Sequence, residues 1–485
     1  MSQTRRSPSG ARQAGDDYQH LVAWNRTLRS LLPGRRLVAV ELEAVNAGNV
    51  DDVVVRYDQE PNEFTQVRFA VDASTPLDSG YLLRTAAPGG TSMLQKFHAS
   101  WQRLRGEAEP HMQLITNRSI DAADGFLTRI DGLTARLTPS VGQAAPGSRA
   151  GKARAAWAEH LDIDQEELVQ LLGCLHFRVG RPYEAEAEHA GDLMLAAGMR
   201  NDPGAIRLGV DRMRRWVLEG RRKLSAEQLR AGIDGLGLRA SEPAATLLVQ
   251  AIAHDPLPED ATEALDWVDL FHGDEPWARR KTRRTDAYGK VMSPQLREAA
   301  DRLIAAGHRR VLVRGAMRLA TWFAAGHALA EVRGMQLVCG HRGQPWSSDD
   351  VPQTTTIDAN IITRLQQGGD LAVAVAVAAE PTEDVVAFAR TTRLPVDAIV
   401  RVGLPGGPQA ARIANGGHAI SAVHGARDEV RRLLRETAAR RVHLFLAAPA
   451  GLALLLGHRW NRIAPTVVYE DLGLDGYQPA YDITA

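Results

Sequence analysis

The chain has few cysteines, few aromatic side chains and no excess of either charge. Its two cysteines, Cys174 and Cys339, exclude a disulfide framework and a zinc site built from cysteine pairs. Lysine plus arginine and aspartate plus glutamate number 58 each, so overall charge points to no polyanionic partner. A nucleic-acid-binding protein would then need a local basic patch. The run RRKTRR at 279–284 is one candidate, and a solvated loop or helix end explains it equally well.

Long apolar runs and targeting segments are also missing. The longest apolar stretch, residues 444–457, contains a proline and is shorter than the roughly 20 residues of a membrane span. The first 16 residues are polar and lack the apolar core of a signal peptide. The sequence therefore predicts a reduced, cytoplasmic protein that is not associated with membranes.

Turn residues and apolar periodicity predict three regions after a flexible tail of about 14 residues. Residues 15–138 run helix, strands, helix, strand, which predicts an α/β core. A Pro/Gly/Ser-rich stretch at 139–151 predicts a domain boundary. Helical periodicity at 152–292 predicts a connecting domain. At 295–485, short apolar runs alternate with helical segments, as is typical of doubly wound α/β sheets.

An internal repeat lies within the last region. Residues 309–330 align with residues 440–461 at a constant offset of 131, since 440 − 309 = 131. Six positions of the alignment are identical, and they match Arg309 with Arg440, Arg310 with Arg441, Val311 with Val442, Ala316 with Ala447, Gly326 with Gly457, and His327 with His458. One offset across a strand, a turn and a helix predicts two related Rossmann-like halves.

Acidic and amide side chains cluster in the predicted strands of the first region. Asp52 opens one strand after an Asn/Gly-rich turn at 46–49, and Gln66 and Arg68 share one face of the next strand. Glu43 lies at the end of the preceding strand. Hydrolysis of a phosphodiester needs a hard cation bound by oxygen ligands and a positive charge near the phosphate. These four residues are therefore the candidate catalytic site.

The same residues resemble the PD-(D/E)xK endonuclease domain of the nuclease–SAVED effectors of cyclic-oligonucleotide antiphage defence (CBASS). The resemblance extends over residues 15–125 and includes GDDYQ from Gly15, WQRL from Trp101 and LITN from Leu114. It implies a restriction-endonuclease-like core and cleavage of double-stranded DNA. It also implies Mg²⁺ or Mn²⁺ held by Asp52, Gln66 and Glu43. The family has Gln-x-Lys where this chain has QVR, so Arg68 takes the lysine's position. Arginine keeps the charge but not the compact ammonium group.

The last region offers candidate ligand residues near the predicted strand ends, where doubly wound folds bind phosphates. Bases of an oligonucleotide need aromatic faces and arginine stacking partners. A tryptophan within an apolar helix, such as Trp322, is more often part of the core. The candidates are Arg314, Arg318, Trp322, Arg342, Trp346, Arg459 and Trp460.

The segment RRVHLF from Arg440, with the following AAP, LGH and YE motifs and Trp346 after HRGQP, resembles SAVED domains over residues 295–485. This resemblance implies two fused CARF-like units. The expected ligand is a cyclic di-, tri- or tetranucleotide made by a CD-NTase, and the expected response is ligand-induced homo-oligomerisation.

Three hypotheses follow. The first is an antiphage effector whose Mg²⁺-dependent DNA endonuclease is activated by a cyclic oligonucleotide. The second is a SAVED sensor or adaptor with a degenerate nuclease domain that assembles or recruits a partner. The third is a nucleotide-metabolising α/β enzyme unrelated to defence.

Overall fold

The computed structural model of the protein describes residues 8–44, 51–85, 87, 89–106, 109–132 and 134–484. The chain divides into two compact units, with the division between Ser241 and Glu242. The turn predicted at 46–49 lies outside the described residues. None of the described helices is both long enough and apolar enough to cross a membrane.

The first unit is an α/β structure whose strands belong to one sheet. Its described helices are α1 (Pro8–Ser30), α2 (Ser79–Leu83), α3 (Met93–Leu104), α4 (Arg149–Leu161), α5 (Gln165–Cys174), α6 (Tyr183–Ala196), α7 (Pro203–Leu218) and α8 (Ala226–Asp234). Its strands are β1 (Leu37–Leu42), β2 (Val53–Tyr57), β3 (Glu63–Arg68), β4 (His111–Thr116), β5 (Leu175–Arg178) and β6 (Lys223–Ser225).

The strands of this sheet lie in the order β5-β4-β3-β2-β1-β6. β1, β2 and β3 pair antiparallel, whereas β3, β4 and β5 pair parallel. β6 pairs antiparallel with β1 and lies at one end of the sheet. The helix and strands predicted for this core, including α3 and β4, are confirmed. α3 begins with a capping box, in which Ser92 and Gln95 each bond the other's backbone N–H.

The predicted N-terminal tail differs from the structure, because α1 begins at Pro8 and residues 8–14 are helical. Proline is favourable in a first helical turn, where its missing N–H would have no partner in any case. Further along, the predicted apolar face of α1 is buried, with Tyr18, Leu21, Val22 and Leu28 all at 0% exposure.

The middle of the chain is not separate from the flanking regions. The stretch 139–151 lies within the first unit, where it contains a turn of 3-10 helix and the start of α4. Residues 152–292, expected to form one helical connecting domain, are divided between the two units. Their first part is mostly helical but adds β5 and β6 to the first sheet. Both strands are short, at four and three residues, so their periodicity is too brief to recognise.

The second unit contains two sheets. Its helices are α9 (Ser293–Ala305), α10 (Leu319–Ala328), α11 (Thr382–Thr392), α12 (Gly416–Thr437) and α13 (Ala450–His458). Its strands are β7 (Ala245–Gln250), β8 (Glu263–Asp266), β9 (Arg310–Arg314), β10 (Gln336–His341), β11 (Gln344–Ser347), β12 (Asp358–Arg364), β13 (Asp370–Ala376), β14 (Val396–Gly403), β15 (Val442–Ala447), β16 (Thr466–Asp471) and β17 (Tyr477–Ile483).

One sheet has the order β11-β10-β9-β7-β8 and the other β12-β14-β13-β15-β16-β17. The central strands of both sheets pair parallel. Antiparallel strands lie at one edge of the first sheet, β11, and at both edges of the second, β12 and β17. The doubly wound α/β architecture predicted for this region is confirmed, and each predicted strand is present. β7 and β8 come from the segment that was expected to be helical.

The two copies of the internal repeat each form a strand, a turn and a helix, namely β9–α10 and β15–α13. Their helices pack closely at two equivalent glycines. A Cβ atom on Gly326 would collide with the carbonyl oxygen of Leu454, and one on Gly457 would collide with that of Phe323. Phe323 and Leu454 are themselves related by the offset of 131. The repeat therefore corresponds to an approximate twofold relation between the two halves.

Candidate functional site

In the first unit, Asp52 precedes β2 and faces Gln66 on β3. The antiparallel register pairs Val53 with Thr65, so the residue before Val53 lies opposite the residue after Thr65. The Gln66 side-chain amide donates a hydrogen bond to Oδ2 of Asp52. The backbone N–H of Val67 donates to the same oxygen at 2.6 Å. The structure thus brings together two residues that the sequence placed on adjacent strands.

Burial controls the charge of Asp52. Desolvation is the main reason that the pKa of its carboxyl is raised to about 6, and the neighbouring Asp51 carboxylate acts in the same direction. The Val67 N–H, the Arg68 guanidinium and the Gln66 amide oppose this increase but do not cancel it. The surroundings of Asp52 therefore disfavour its ionised form, and a bound cation would offset that cost.

Two cations act on the neighbouring Asp51. Burial raises the pKa of the Asp51 carboxyl, Glu43 raises it further, and Arg68 and Lys96 lower it. Lys96 lies near the start of α3 and is a residue that the sequence analysis missed. No motif marks it, because it reaches the cluster from a helix that follows the strands. Asp51, Asp52, Gln66, Arg68 and Lys96 are referred to below as the Asp52 cluster.

Glu43 departs from the predicted arrangement. β1 ends at Leu42, and Glu43 has a left-handed backbone with φ of 47°, which breaks the alternation that would align it with Glu41. Its carboxylate pairs with Arg222 Nη2 at 3.1 Å. Glu41 pairs with Arg56 Nε at 3.1 Å and with Lys223 Nζ at 3.5 Å. Both glutamates are thus engaged by arginine or lysine at this end of the sheet.

The described part of the chain contains no group of three or more His, Cys, Asp or Glu side chains placed to hold a metal ion. Of the predicted oxygen ligands, two remain together at the cluster, a carboxylate oxygen of Asp52 and, after rotation of its amide, the Gln66 side-chain oxygen. Such a set fits magnesium, which is commonly held by one or two carboxylates and keeps several waters. A metal ion coordinated only by protein atoms, with Glu43 among its ligands, does not fit this arrangement. The Glu43 carboxylate is paired with Arg222.

In the second unit, two predicted phosphate ligands are used to anchor loops. Arg314, the last residue of β9, pairs with Asp255 and also donates to the carbonyl of Leu257 at 3.5 Å. Arg318 donates to the carbonyl oxygens of Arg279, at 3.0 and 3.2 Å, and of Pro276, at 3.4 Å. Both arginines therefore hold loops against the carboxyl end of β9. Arg314 holds the loop after β7, and Arg318 holds the loop after β8.

The three predicted base-stacking tryptophans are buried. Trp322 is 9% exposed, Trp346 0% and Trp460 2%. Trp460 packs edge-on against Phe323 with ring centroids 5.5 Å apart, and its indole N–H donates to Thr466 Oγ1 at 2.9 Å. Tryptophan contributes a large apolar area, which favours burial wherever a helix or strand face points into the core. None of the three offers an open face for a base in this structure.

The remaining two predicted ligand residues lie at opposite ends of parallel strands. Arg342 is exposed in the turn between β10 and β11, at the carboxyl end of β10, where ligands of doubly wound folds bind. Arg459 follows α13 and precedes β16, so it lies near the amino ends of the strands. Its guanidinium contacts His424 Nε2 at 2.7 Å and the Ser348 carbonyl at 2.9 Å. Arg459 therefore fits a packing role.

The basic run at 279–284 is only partly available to a partner. Arg279 donates three hydrogen bonds to backbone carbonyls, and Arg283 donates to the carbonyl of Phe271 at 2.9 Å. Arg284 is paired with Asp286. The sequence could not distinguish these arginines from solvated ones, because backbone carbonyls have no sequence signature.

A carboxyl group occupies the start of α10. The backbone N–H of Ala320 donates to Glu470 Oε2 at 3.2 Å, so the helix end that was expected to favour phosphate already has an acceptor. Burial raises the pKa of Glu470 to about 8, although this hydrogen bond and Arg318 lower it. Glu470 is 3% exposed and lies at the end of β16, in the YE motif of the sequence.

Comparison with known proteins identifies part of the second unit. Residues 292–483 match the family model of SAVED, the SMODS-associated and fused to various effectors sensor domain. This segment is a SAVED domain. β7 and β8 precede it in the chain, yet they complete one of its two sheets. No match was found among curated proteins.

Two solved structures align with nearly the whole chain. One is the Acinetobacter baumannii Cap4 SAVED/CARF-domain containing receptor with the cyclic trinucleotide 3′3′3′-cAAA, at 14% identity, 100% coverage of both chains and a TM-score of 0.45. The other is the Moraxella osloensis Cap4 SAVED/CARF-domain containing receptor, at 14% identity, covering 97% of this chain and 100% of that one, with a TM-score of 0.42. These scores are low, and the SAVED assignment rests on the family model.

Proposed function

We propose that this protein is an effector of cyclic-oligonucleotide antiphage defence. A cyclic di-, tri- or tetranucleotide binds the SAVED-containing unit, copies of the chain associate, and the first unit cleaves double-stranded DNA. The Asp52 cluster carries the cleavage, and the core at 15–138 is its nuclease-like domain. The protein acts in the cytoplasm, where both the signal and the DNA are found.

The observation that supports this proposal is the position of Asp52. A partly buried carboxylate with a raised pKa lies against a strand that carries Gln66 and Arg68, with a second cation, Lys96, within electrostatic range of Asp51. A purely structural aspartate at a strand end is usually exposed or fully paired. The N–H of Val67 fixes the carboxylate, and Arg68 and Lys96 offset negative charge from a phosphate.

Mg²⁺ or Mn²⁺ held by Asp52 and Gln66 would supply Lewis acidity toward a phosphodiester and lower the pKa of a bound water. Asp52 must be ionised to hold the ion, and Gln66 must turn its amide so that the oxygen faces it. Glu43 can join only if its pair with Arg222 opens. Arg68 then replaces the lysine of the family with a bulkier cation that cannot readily give up a proton.

A second function has its own support. Arg68 in the lysine position and Glu43 paired with Arg222 are what a degenerate site would contain. In that case the protein is a SAVED sensor or adaptor that assembles or recruits a partner and does not cut DNA.

The deciding experiment incubates the full chain with supercoiled plasmid, Mg²⁺ and separate cyclic di-, tri- and tetraadenylates and guanylates. The effector hypothesis predicts degradation with one ligand only, loss of cleavage in Asp52→Asn, and a gain in Arg68→Lys. Asp58→Asn is the matched control, because Asp58 follows the opposite end of β2 and its side chain is 63% exposed. Binding without cleavage in every variant would favour the adaptor, and absence of any binding would exclude both.

Asp52→Asn also has an outcome that does not depend on cleavage. The folded-state pKa is raised from 3.8 to about 6, so ionised Asp52 destabilises the fold above that pH. Asparagine keeps a side-chain oxygen that can accept the hydrogen bonds from the Gln66 amide and the Val67 N–H. At pH 7.5 the variant should gain on the order of 2 kcal/mol in unfolding free energy. The gain should shrink as pH falls from 6 to 3.8, where the wild type takes up the proton. Urea unfolding at several pH values measures it, and Asp58→Asn should show no such trend.

A further inference from the structure

The loop before the SAVED segment contains an unusual tryptophan. Trp277 is 75% exposed, whereas each of the other eight tryptophans of the chain is at most 9% exposed. Exposing a whole indole leaves a large apolar surface in water, and tryptophan is enriched at binding interfaces. The core of the second unit does not use this side chain.

The backbone on either side of Trp277 is fixed by several hydrogen bonds. The N–H of Ala278 donates to the Glu275 carbonyl at 3.0 Å, which closes a turn around Trp277. Arg279 donates to the carbonyls of Gly273 at 3.2 Å and Asp274 at 2.6 Å. The indole is thus presented by a turn of defined shape.

Two further arginine contacts attach this turn to the carboxyl ends of the parallel strands. Arg279 Nη1 donates to the carbonyl of Ile252, just after β7, at 2.6 Å. Arg318, just after β9, donates to the carbonyls of Pro276 and Arg279 on both sides of Trp277. The tryptophan therefore lies at the edge of the sheet where doubly wound folds bind nucleotides.

Charges at this edge suit a phosphorylated ligand. Lys281 is exposed four residues after Trp277, and Arg342 is exposed at the carboxyl end of β10. Asp274 and Glu275 precede the tryptophan, so the turn has acidic residues on one side of it and basic residues on the other. An exposed aromatic face beside cations is the arrangement that stacks a base and attracts its phosphates.

We propose that Trp277 is the base-stacking face of the cyclic-oligonucleotide site, with Lys281 and Arg342 facing the phosphates. This inference rests on the proposed sensor function and extends the site to residues before the SAVED segment. Arg318 acts through the turn as a positioning residue, and the buried Trp322, Trp346 and Trp460 take no direct part.

The test measures binding by titration calorimetry with cyclic di-, tri- and tetraadenylates and guanylates, using the full chain. For the ligand that binds wild type most tightly, Trp277→Ala should weaken affinity about five- to one-hundred-fold, as expected for loss of one base–aromatic stack. Trp277→Phe should remain within about threefold of wild type, because it keeps an aromatic face. Val351→Ala is the matched control, since it removes an 80% exposed apolar side chain of the same unit.

Fluorescence gives an independent readout. In wild type, acrylamide should quench a component of the tryptophan emission that Trp277→Ala lacks. Binding of the ligand should quench that same component. If wild type binds a ligand and Trp277→Ala binds it equally well, the inference is overturned while the proposed function stands. Unchanged affinity with loss of ligand-induced association would instead make Trp277 a contact between copies. If wild type binds none of these ligands, the proposed function fails, and the inference fails with it.

Discussion

The two halves of the SAVED-containing unit keep the same packing positions but have different turns. Gly326 and Gly457 occupy equivalent places where α10 and α13 cross, and each faces a carbonyl of the other helix. The turns that precede these helices have diverged. The first has Arg314 and Arg318, whereas the equivalent positions of the second are Phe445 and Pro449. The comparison teaches that packing preserves the repeat at the helix crossing, while the turns, which do not share that contact, are free to differ.

The largest effect should come from filling the shared crossing. Gly326→Ala and Gly457→Ala each place a methyl group against a backbone carbonyl that cannot move without separating the helices. Each should lower the unfolding free energy by about 3 kcal/mol or more, as severe overpacking does. Chemical denaturation measures the change. Gly289→Ala is the control, because a Cβ at Gly289 meets no atom within 4 Å. Clearly unequal losses at the two glycines would contradict the twofold relation.

The paired histidines differ in their hydrogen bonds. His458 donates Nδ1–H to the Leu329 carbonyl at 2.6 Å, whereas Nδ1 of His327 is buried without a hydrogen-bond partner in the described structure. Burial lowers the pKa of His458 to about 4. The pKa of His458 in the unfolded chain is near 6.5. The contribution of its neutral imidazole to the unfolding free energy is therefore complete above pH 6.5 and is lost as the pH falls toward 4.

Asparagine at position 458 keeps an amide nitrogen that can donate in place of Nδ1 but does not take up a proton. His458→Asn should therefore reduce the fall in unfolding free energy between pH 6.5 and 4 by up to about 3 kcal/mol. Urea unfolding between pH 7.5 and 4 checks it, with His327→Asn measured alongside. Burial also lowers the pKa of His327, so that variant should flatten the profile too. Identical pH profiles for wild type and His458→Asn would show that the imidazole is not protected from protonation.

The smallest stability effect should lie in the turn that has diverged. Arg318→Ala removes the hydrogen bonds that hold the Trp277 turn and should cost about 1–2 kcal/mol. It should also speed amide hydrogen exchange over residues 273–284. Arg309→Ala is the matched control, because Arg309 also donates to two carbonyls, Ile304 and His308, but precedes β9. If both variants leave exchange of the turn unchanged, Arg318 is not its anchor.

The sequence predicted what periodicity encodes. Long apolar strands such as β13 and β15 and helices such as α3 were identified, because one face or both faces of each element are buried along its whole length. The contact between Asp52 and Gln66 followed from strand alternation. β6 has three residues, and β12 has a largely exposed pattern, so neither has a periodicity that could be recognised.

The candidate ligand residues were harder to predict because side-chain chemistry does not determine exposure. Trp322, Trp346 and Trp460 have the right type for base stacking but pack in the core, and Trp277 was overlooked in a loop of mixed charge. Arg279 and Arg318 bond to backbone carbonyls, which every residue possesses. Strand alternation predicts that Glu43 shares a face with Glu41. β1 ends at Leu42, however, and the Glu43 carboxylate pairs with Arg222.

The pairing of β6 with β1 has a consequence for how the protein is made. Until Lys223–Ser225 has been synthesised, β1 has an open edge and Glu43 lacks Arg222. An unpaired edge invites pairing with other chains. The sheet that holds the Asp52 cluster therefore closes late on the ribosome, after the intervening helices have emerged. A chain truncated before Lys223 would leave this edge of β1 unpaired, so it should aggregate more readily than the full chain.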